Sequence, residues 1–198
     1  MLKIALNVNG STVVKDKIDW STDNMRRAFK QISASYPIKS VQILKLQGAD
    51  DVVNEFFWLL ADEIQSHGAL EEIDFQGFKK IDNLETSSLV KIANKCSKLR
   101  KLTLHRLIKL TNETSKALVR FLCMIFFQQP PLEHLNTRAF IENSVFDTEI
   151  SVAFDSTTFI SLRTLNMGWN HFLWHNETAA NILFEFIWRQ SSLEELHI

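Results

Sequence analysis

The stretch CSKLRKLTLHRLIKLTNETSKALVRFL, Cys96 to Leu122, changes its period halfway along. Its first part runs Leu99-x-x-Leu102-x-Leu104, the alternation of a strand with one face buried. Its second part places Leu118, Phe121, Leu122, Ile125 and Phe126 at i, i+3, i+4, i+7 and i+8, one face of a helix. Between them stands Thr-Asn-Glu-Thr. Asn112 offers an N-cap oxygen there, and Glu113 favours the positive end of the helix dipole. The stretch therefore predicts a strand, a short loop and a helix.

The same hexamer recurs along the chain. It reads Val41-x-x-Leu44-x-Leu46 and Leu70-x-x-Ile73-x-Phe75 before Leu99. After it come Leu132-x-x-Leu135-x-Thr137, Leu162-x-x-Leu165-x-Met167 and Leu193-x-x-Leu196-x-Ile198. The starts (41, 70, 99, 132, 162, 193) are 29, 29, 33, 30 and 31 residues apart. Met1-x-x-Ile4-x-Leu6 is a weaker seventh candidate. Helical faces follow at Val53, Phe56, Phe57, Leu60 and Ile64, at Leu89, Ile92, Ala93 and Cys96, and at Ala179, Ile182, Leu183, Phe186 and Ile187. Asn176 repeats the Asn-Glu-Thr cap, and Asn54 and Asn83 lie 29-residue steps upstream of Asn112. The unit after Leu132 shows no clean helical face, and its Thr137 occupies an apolar position. A lone strand-helix unit cannot bury its apolar face, whereas stacked units share one continuous core.

These residues resemble leucine-rich repeats of the ribonuclease-inhibitor-like type, closest to the cysteine-containing repeats of F-box substrate receptors. Cys96, Leu99, Leu102, Leu104, Leu110, Thr111, Asn112, Ala117 and Leu118 stand at matching places. Leu107, Phe78 and Phe140 take the position where that family often has a second Cys or an Asn, and Asn170 restores the Asn. The resemblance implies an α/β solenoid of six to seven repeats, a horseshoe arc with parallel strands on the concave face and helices on the convex face. It covers residues 38–198; residues 1–37 read as a partial or atypical repeat with one helix, in STDNMRRAFKQI. A strand motif stands at each extremity, so the expectation is part of a longer solenoid.

On such strands the leucines point inward and the residues between them face the concave side. One column then reads Lys45, Asp74, Thr103, Asn136, Asn166 and His197, and the next Gln47, Gln76, His105, Arg138 and Gly168. The preceding column reads Ile43, Glu72, Lys101, His134, Thr164 and Glu195. Charges alternate from unit to unit, which suits a groove for a protein or peptide as well as an ordinary solvated sheet. His105, His134 and Arg138 are candidates to converge on an anion. Trp169, Phe172 and Trp174 are candidate aromatic anchors. The basic cluster Lys95, Lys98, Arg100, Lys101, Arg106 and Lys109 follows the acidic Glu71, Glu72 and Asp74. It reads either as pairing between repeats or as a dock for an acidic partner.

The bulk properties exclude more than they assign. With 198 residues, 45% apolar and 23% charged, the chain is sized for one folded domain. A formal net charge of -1 gives no reason to expect nucleic acid. The most apolar run, Leu118 to Phe127, is about half a membrane span and contains Arg120, so no membrane insertion is expected. Two cysteines, Cys96 and Cys123, cannot form a disulfide framework and suit a reducing, cytoplasmic setting. His171 and His175 have helical spacing without the Glu of a zinc-protease motif, and five scattered glycines form no phosphate loop. No cofactor, metal, small-molecule substrate or catalytic group is expected. The expected function is a non-catalytic scaffold or adaptor in a multi-subunit assembly. The alternatives are the substrate-recognition part of an F-box-type ubiquitin-ligase receptor and a GTPase-activating or other regulatory repeat protein.

Overall fold

A computed structural model describes residues 3–8, 11–15, 23, 26–27, 30–31, 38–45, 50–67, 70–76, 83–105, 111–140, 148–170 and 176–198. Eight strands make one sheet, in the order β2-β1-β3-β4-β5-β6-β7-β8. They are β1 (Lys3–Val8), β2 (Ser11–Lys15), β3 (Ser40–Lys45), β4 (Glu72–Gln76), β5 (Lys101–His105), β6 (His134–Asn136), β7 (Thr164–Asn166) and β8 (Glu195–His197). Strands β3 to β8 are parallel to their neighbours. Among the described residues each crossover between them carries a helix: α1 (Asp50–His67), α2 (Thr86–Ala93), α3 (Asn112–Gln128), α4 (Thr148–Ser156) and α5 (Glu177–Trp188). Parallel crossovers are right-handed, and here every one advances the same way, so these crossover helices fall on one face. Each helix packs on the next, and among the described residues no helix lies against the other face of the sheet.

The register sets the core. Val41, Ile73, Leu102, Leu135, Leu165 and Leu196 lie side by side across the six parallel strands. All but Leu196 are buried, as are Ile38, Leu70, Leu99, Leu132 and Leu162 at the bend before each strand. That bend repeats in detail: one carbonyl accepts two successive N–H groups from the next unit. Lys39 O holds Glu71 and Glu72, Glu71 O holds Arg100 and Lys101, and Arg100 O holds Glu133 and His134. Glu133 O and Arg163 O do the same for the last two strands. Under the sheet, phenylalanine joins strand to helix. Phe57 meets Phe75 edge-on at 5.6 Å, and Phe75 stacks on Phe121 at 5.8 Å. Phe126 meets Phe154, Phe159 and Phe186 at 5.2, 5.1 and 5.7 Å, all buried.

The first copy of the hexamer is shifted from the expected frame. Val41 pairs with Ile73 and Ile43 with Phe75, so the inner positions are Ile38, Val41 and Ile43. Both frames are apolar in IKSVQILKL, but a three-residue shift exchanges the two faces of a strand. Only the observed frame sets Lys39 against Glu71, at 3.2 Å, and Ser40 against Glu72. The seventh copy is also corrected. Its strand exists as β1, but β1 runs antiparallel to both β2 and β3. The residues between β1 and β2 are Asn9 and Gly10, the pair most favoured between antiparallel strands.

Helix starts are close to expectation. Asn176 caps α5, its Oδ1 accepting from Ala179 N at 3.1 Å. At α3 the cap is Thr111, whose Oγ1 accepts from Thr114 N, and Asn112 is the first helical residue. Asn54 lies inside α1, not at its start; its side chain bonds Asn83 O and Glu85 N in the next unit, at 2.9 and 2.8 Å. The irregular unit does contain a helix, α4, with Ile150, Ala153 and Phe154 inward. A single turn of inward residues is too short to register as a period. Asp23, Arg26, Arg27, Lys30 and Gln31 have helical backbone.

Candidate interaction surface

The open face of the sheet carries the polar residues that alternate with the core. At its rim, where each strand begins, stand Lys39, Glu71, Arg100, Glu133, Arg163 and Glu194, alternating in sign. They pair between neighbouring units: Lys39 with Glu71, Arg100 with Glu133 at 2.6 Å, and Arg163 with Glu194. The Glu133 hydrogen bond and charge, with smaller contributions from Glu71 and Glu72, raise the Arg100 pKa above its ordinary value. These pairs are largely exposed, so they align the strands rather than hold the fold.

One residue further along lie Ser40, Glu72, Lys101, His134, Thr164 and Glu195. The following column is Gln42, Asp74, Thr103, Asn136, Asn166 and His197. Beyond these are Gln76, His105, Arg138 and Gly168. Glu72, Lys101, Thr103, His134, Asn136 and Asn166, with Glu71, Arg100 and Glu133 of the rim, line an open groove of about 540 Å³. Asp74 is held in place by amides, accepting from Gln42 Nε2 at 2.9 Å and from Gln76 Nε2 at 2.7 and 2.8 Å. Asn136 and Asn166 close equivalent turns, their Oδ1 atoms accepting from Arg138 N and Gly168 N at 3.1 and 3.2 Å.

The expected columns therefore hold for β4 to β8 and fail at β3. Gln42 occupies the place assigned to Lys45, and Ile43, placed on the open face, is buried. Lys45 pairs through its backbone with Lys3 of β1. Gln47, Phe172 and Trp174 lie outside the described residues, as do His171, His175, Arg106 and Lys109. His105, His134 and Arg138 are not gathered around one point. His134 stands beside Lys101 and Thr164, His105 beside Gln76, and the Arg138 guanidinium lies over the Trp169 ring at 5.6 Å. Trp169 is exposed to 64% and adopts a left-handed φ of 65°. Of the basic cluster, Lys95, Lys98 and Lys101 are exposed, while Arg100 is paired with Glu133. The pairing reading thus accounts for Arg100. Lys101 has no ion pair among the described residues.

Cys96 is buried, its thiol donating to Ile92 O at 3.1 Å, and burial pushes its pKa up to about 12. Cys123 is buried in α3. Among the described residues no group of three or more His, Cys, Asp or Glu is placed to hold a metal ion, and no helix is long and apolar enough to cross a membrane.

Two further surfaces escape the sequence reading. Residues Arg26 and Lys30 form a groove with Glu55, Trp58 and Asp62 of α1, closed by Arg26 Nε donating to Glu55 at 2.9 Å. Trp58 is pinned by its Nε1 donating to Glu85 and by Lys91 over its ring at 3.7 Å. Phe184 and Trp188 on α5 and Ile198 after β8 are exposed. Helical spacing shows which residues share a face, not which face is covered. No protein-family model, curated protein or solved structure matches this chain.

Proposed function

We propose that this chain is a non-catalytic protein-interaction module, a leucine-rich-repeat solenoid of the ribonuclease-inhibitor-like type that serves as a scaffold or adaptor in a larger assembly. One observation carries the reading: six parallel strands turn their polar columns to a face that no helix covers among the described residues, and a groove runs along it. The even spacing of the strand-helix units and the bend repeated before every strand support the repeat assignment. In that reading the open face is the concave inner wall and is the part that meets a protein partner. Site-specific photo-cross-linking tests it. A cross-linking amino acid at Thr164, on the open face, should capture a partner from cells. The same group at Phe184, on the outer side of the helix layer, should not. Adducts at Phe184 with none at Thr164 would reject the open face as the docking side.

A further inference from the structure

The open face is not uniform in charge, and this has a consequence for the partner. The outward positions are Lys101, Thr103 and His105 on β5, then His134 and Asn136 on β6 with Arg138 just after it, then Thr164 and Asn166 on β7 with Gly168 just after it. None is acidic. The strands on either side are: β4 presents Glu72 and Asp74, and β8 presents Glu195.

The window is made of donors. Lys101 has no ion pair among the described residues. The oxygens of Asn136 and Asn166 are taken by backbone N–H groups, so their Nδ2 groups are left as donors, and both line the groove. The two amides sit on adjacent strands, about 5 Å apart, close to the reach of one carboxylate and its neighbour. Glu133 at the rim is engaged by Arg100 at 2.6 Å, and Asp74 by the Gln42 and Gln76 amides.

We infer that the β5–β7 window binds an acidic segment of a partner protein, with carboxylates on Lys101 and on the Asn136 and Asn166 amides. This deepens the proposed function and rests on it. The complementarity is local: a short run of Asp or Glu fits between the acidic strands. A long polyphosphate would cross Glu72 on one side and Glu195 on the other and be repelled by both.

The test is fluorescence anisotropy of the full chain with capped, labelled hexaglutamate at low ionic strength. Hexaglutamine, hexalysine and a single-stranded oligonucleotide are the comparison ligands. Hexaglutamate should bind about tenfold tighter than hexaglutamine, and salt should weaken it. Asn166→Asp keeps the acceptor for Gly168 N and turns the outward donor into an acceptor; it should weaken hexaglutamate about tenfold. Lys101→Gln should weaken it as well, with circular dichroism unchanged in both variants. Equal affinity for hexaglutamine, no saturable binding, or tighter binding of the oligonucleotide would each overturn the inference. If open-face cross-links form at Thr164 while hexaglutamate fails, the interaction module stands and only its acidic specificity falls. If neither is seen, both fall.

Discussion

Replacing Asn170 with alanine tests whether the stack is held by buried polar links as well as by leucines. Asn170 is fully buried. Its Oδ1 accepts from Phe140 N at 3.0 Å, and its Nδ2 donates to Thr137 O and Met167 O, both at 2.8 Å. It therefore ties the turn after β7 to the turn after β6. Alanine leaves Met167 O without that donor. Thr137 O and Phe140 N retain a bond to each other at 3.2 Å, so their loss is partial. An unsatisfied buried group costs about 1–3 kcal/mol, which for one full and two partial losses gives about 3 kcal/mol. With an m-value of about 2 kcal/mol/M in urea, the midpoint should fall by about 1.5 M. Urea unfolding followed by far-ultraviolet circular dichroism measures it. Asn170→Asp should be worse, because a carboxylate there would face two carbonyl oxygens in a buried site. A midpoint change below about 0.3 M at unchanged m for Asn170→Ala would refute the reasoning, since the links would then be worth less than one ordinary hydrogen bond.

Further outcomes are expected. Phe126→Ala should cost about 3–5 kcal/mol in the same urea assay, because the ring is buried against Phe154, Phe159 and Phe186. Its exposed neighbour Phe127 should tolerate alanine with a change near about 0.5 kcal/mol. Ile43→Asn checks the frame of the first repeat: it should destabilise by more than about 2 kcal/mol, whereas an Ile43 on the open face would accept Asn at little cost. Cys96 should resist iodoacetamide in the folded protein at pH 8 and react once urea unfolds it, a difference that mass spectrometry resolves. The folded thiol titrates at about 12 against an ordinary value of 9.0, so it binds a proton that the unfolded chain releases between them. Stability should accordingly fall as pH rises above about 9, and Cys96→Ala should flatten that fall.

The α/β order was legible because it depends on period, and period survives in a single sequence. Hexamers at near-constant intervals, followed by i, i+3, i+4 faces, are enough to order strand and helix. Two errors arose where period alone is ambiguous. Around Val41 two frames are both apolar, and the choice between them lies in the neighbour: Lys39 meets Glu71 only in one. At residues 1–15 the hexamer match pointed to another parallel unit, while Asn9-Gly10 marked a reversal. The local turn chemistry agrees with the antiparallel pairing of β1 with β2. Helix α4 escapes the sequence pattern for a different reason, since a short helix with Ile150, Ala153 and Phe154 inward offers too few positions to establish a face.

The open face was legible as a list and not as a surface. Alternation named Asp74, Thr103, Asn136 and Asn166 as outward residues, but their capacity to bind depends on which of their atoms are already engaged. Asp74 carries a charge and is occupied by two glutamine side chains; Asn136 and Asn166 carry none and keep their donors. Arg100 and Lys101 are adjacent cations, yet one is paired across the rim and the other is not. Such partnerships run between units some 30 residues apart, as Arg100 to Glu133 does, and no local window contains both members. What a repeat sequence conveys is therefore which residues share a face. Which of them remain available to a partner is decided by pairing across the repeat, and here that pairing leaves β5 to β7 as the donor-rich part of the sheet.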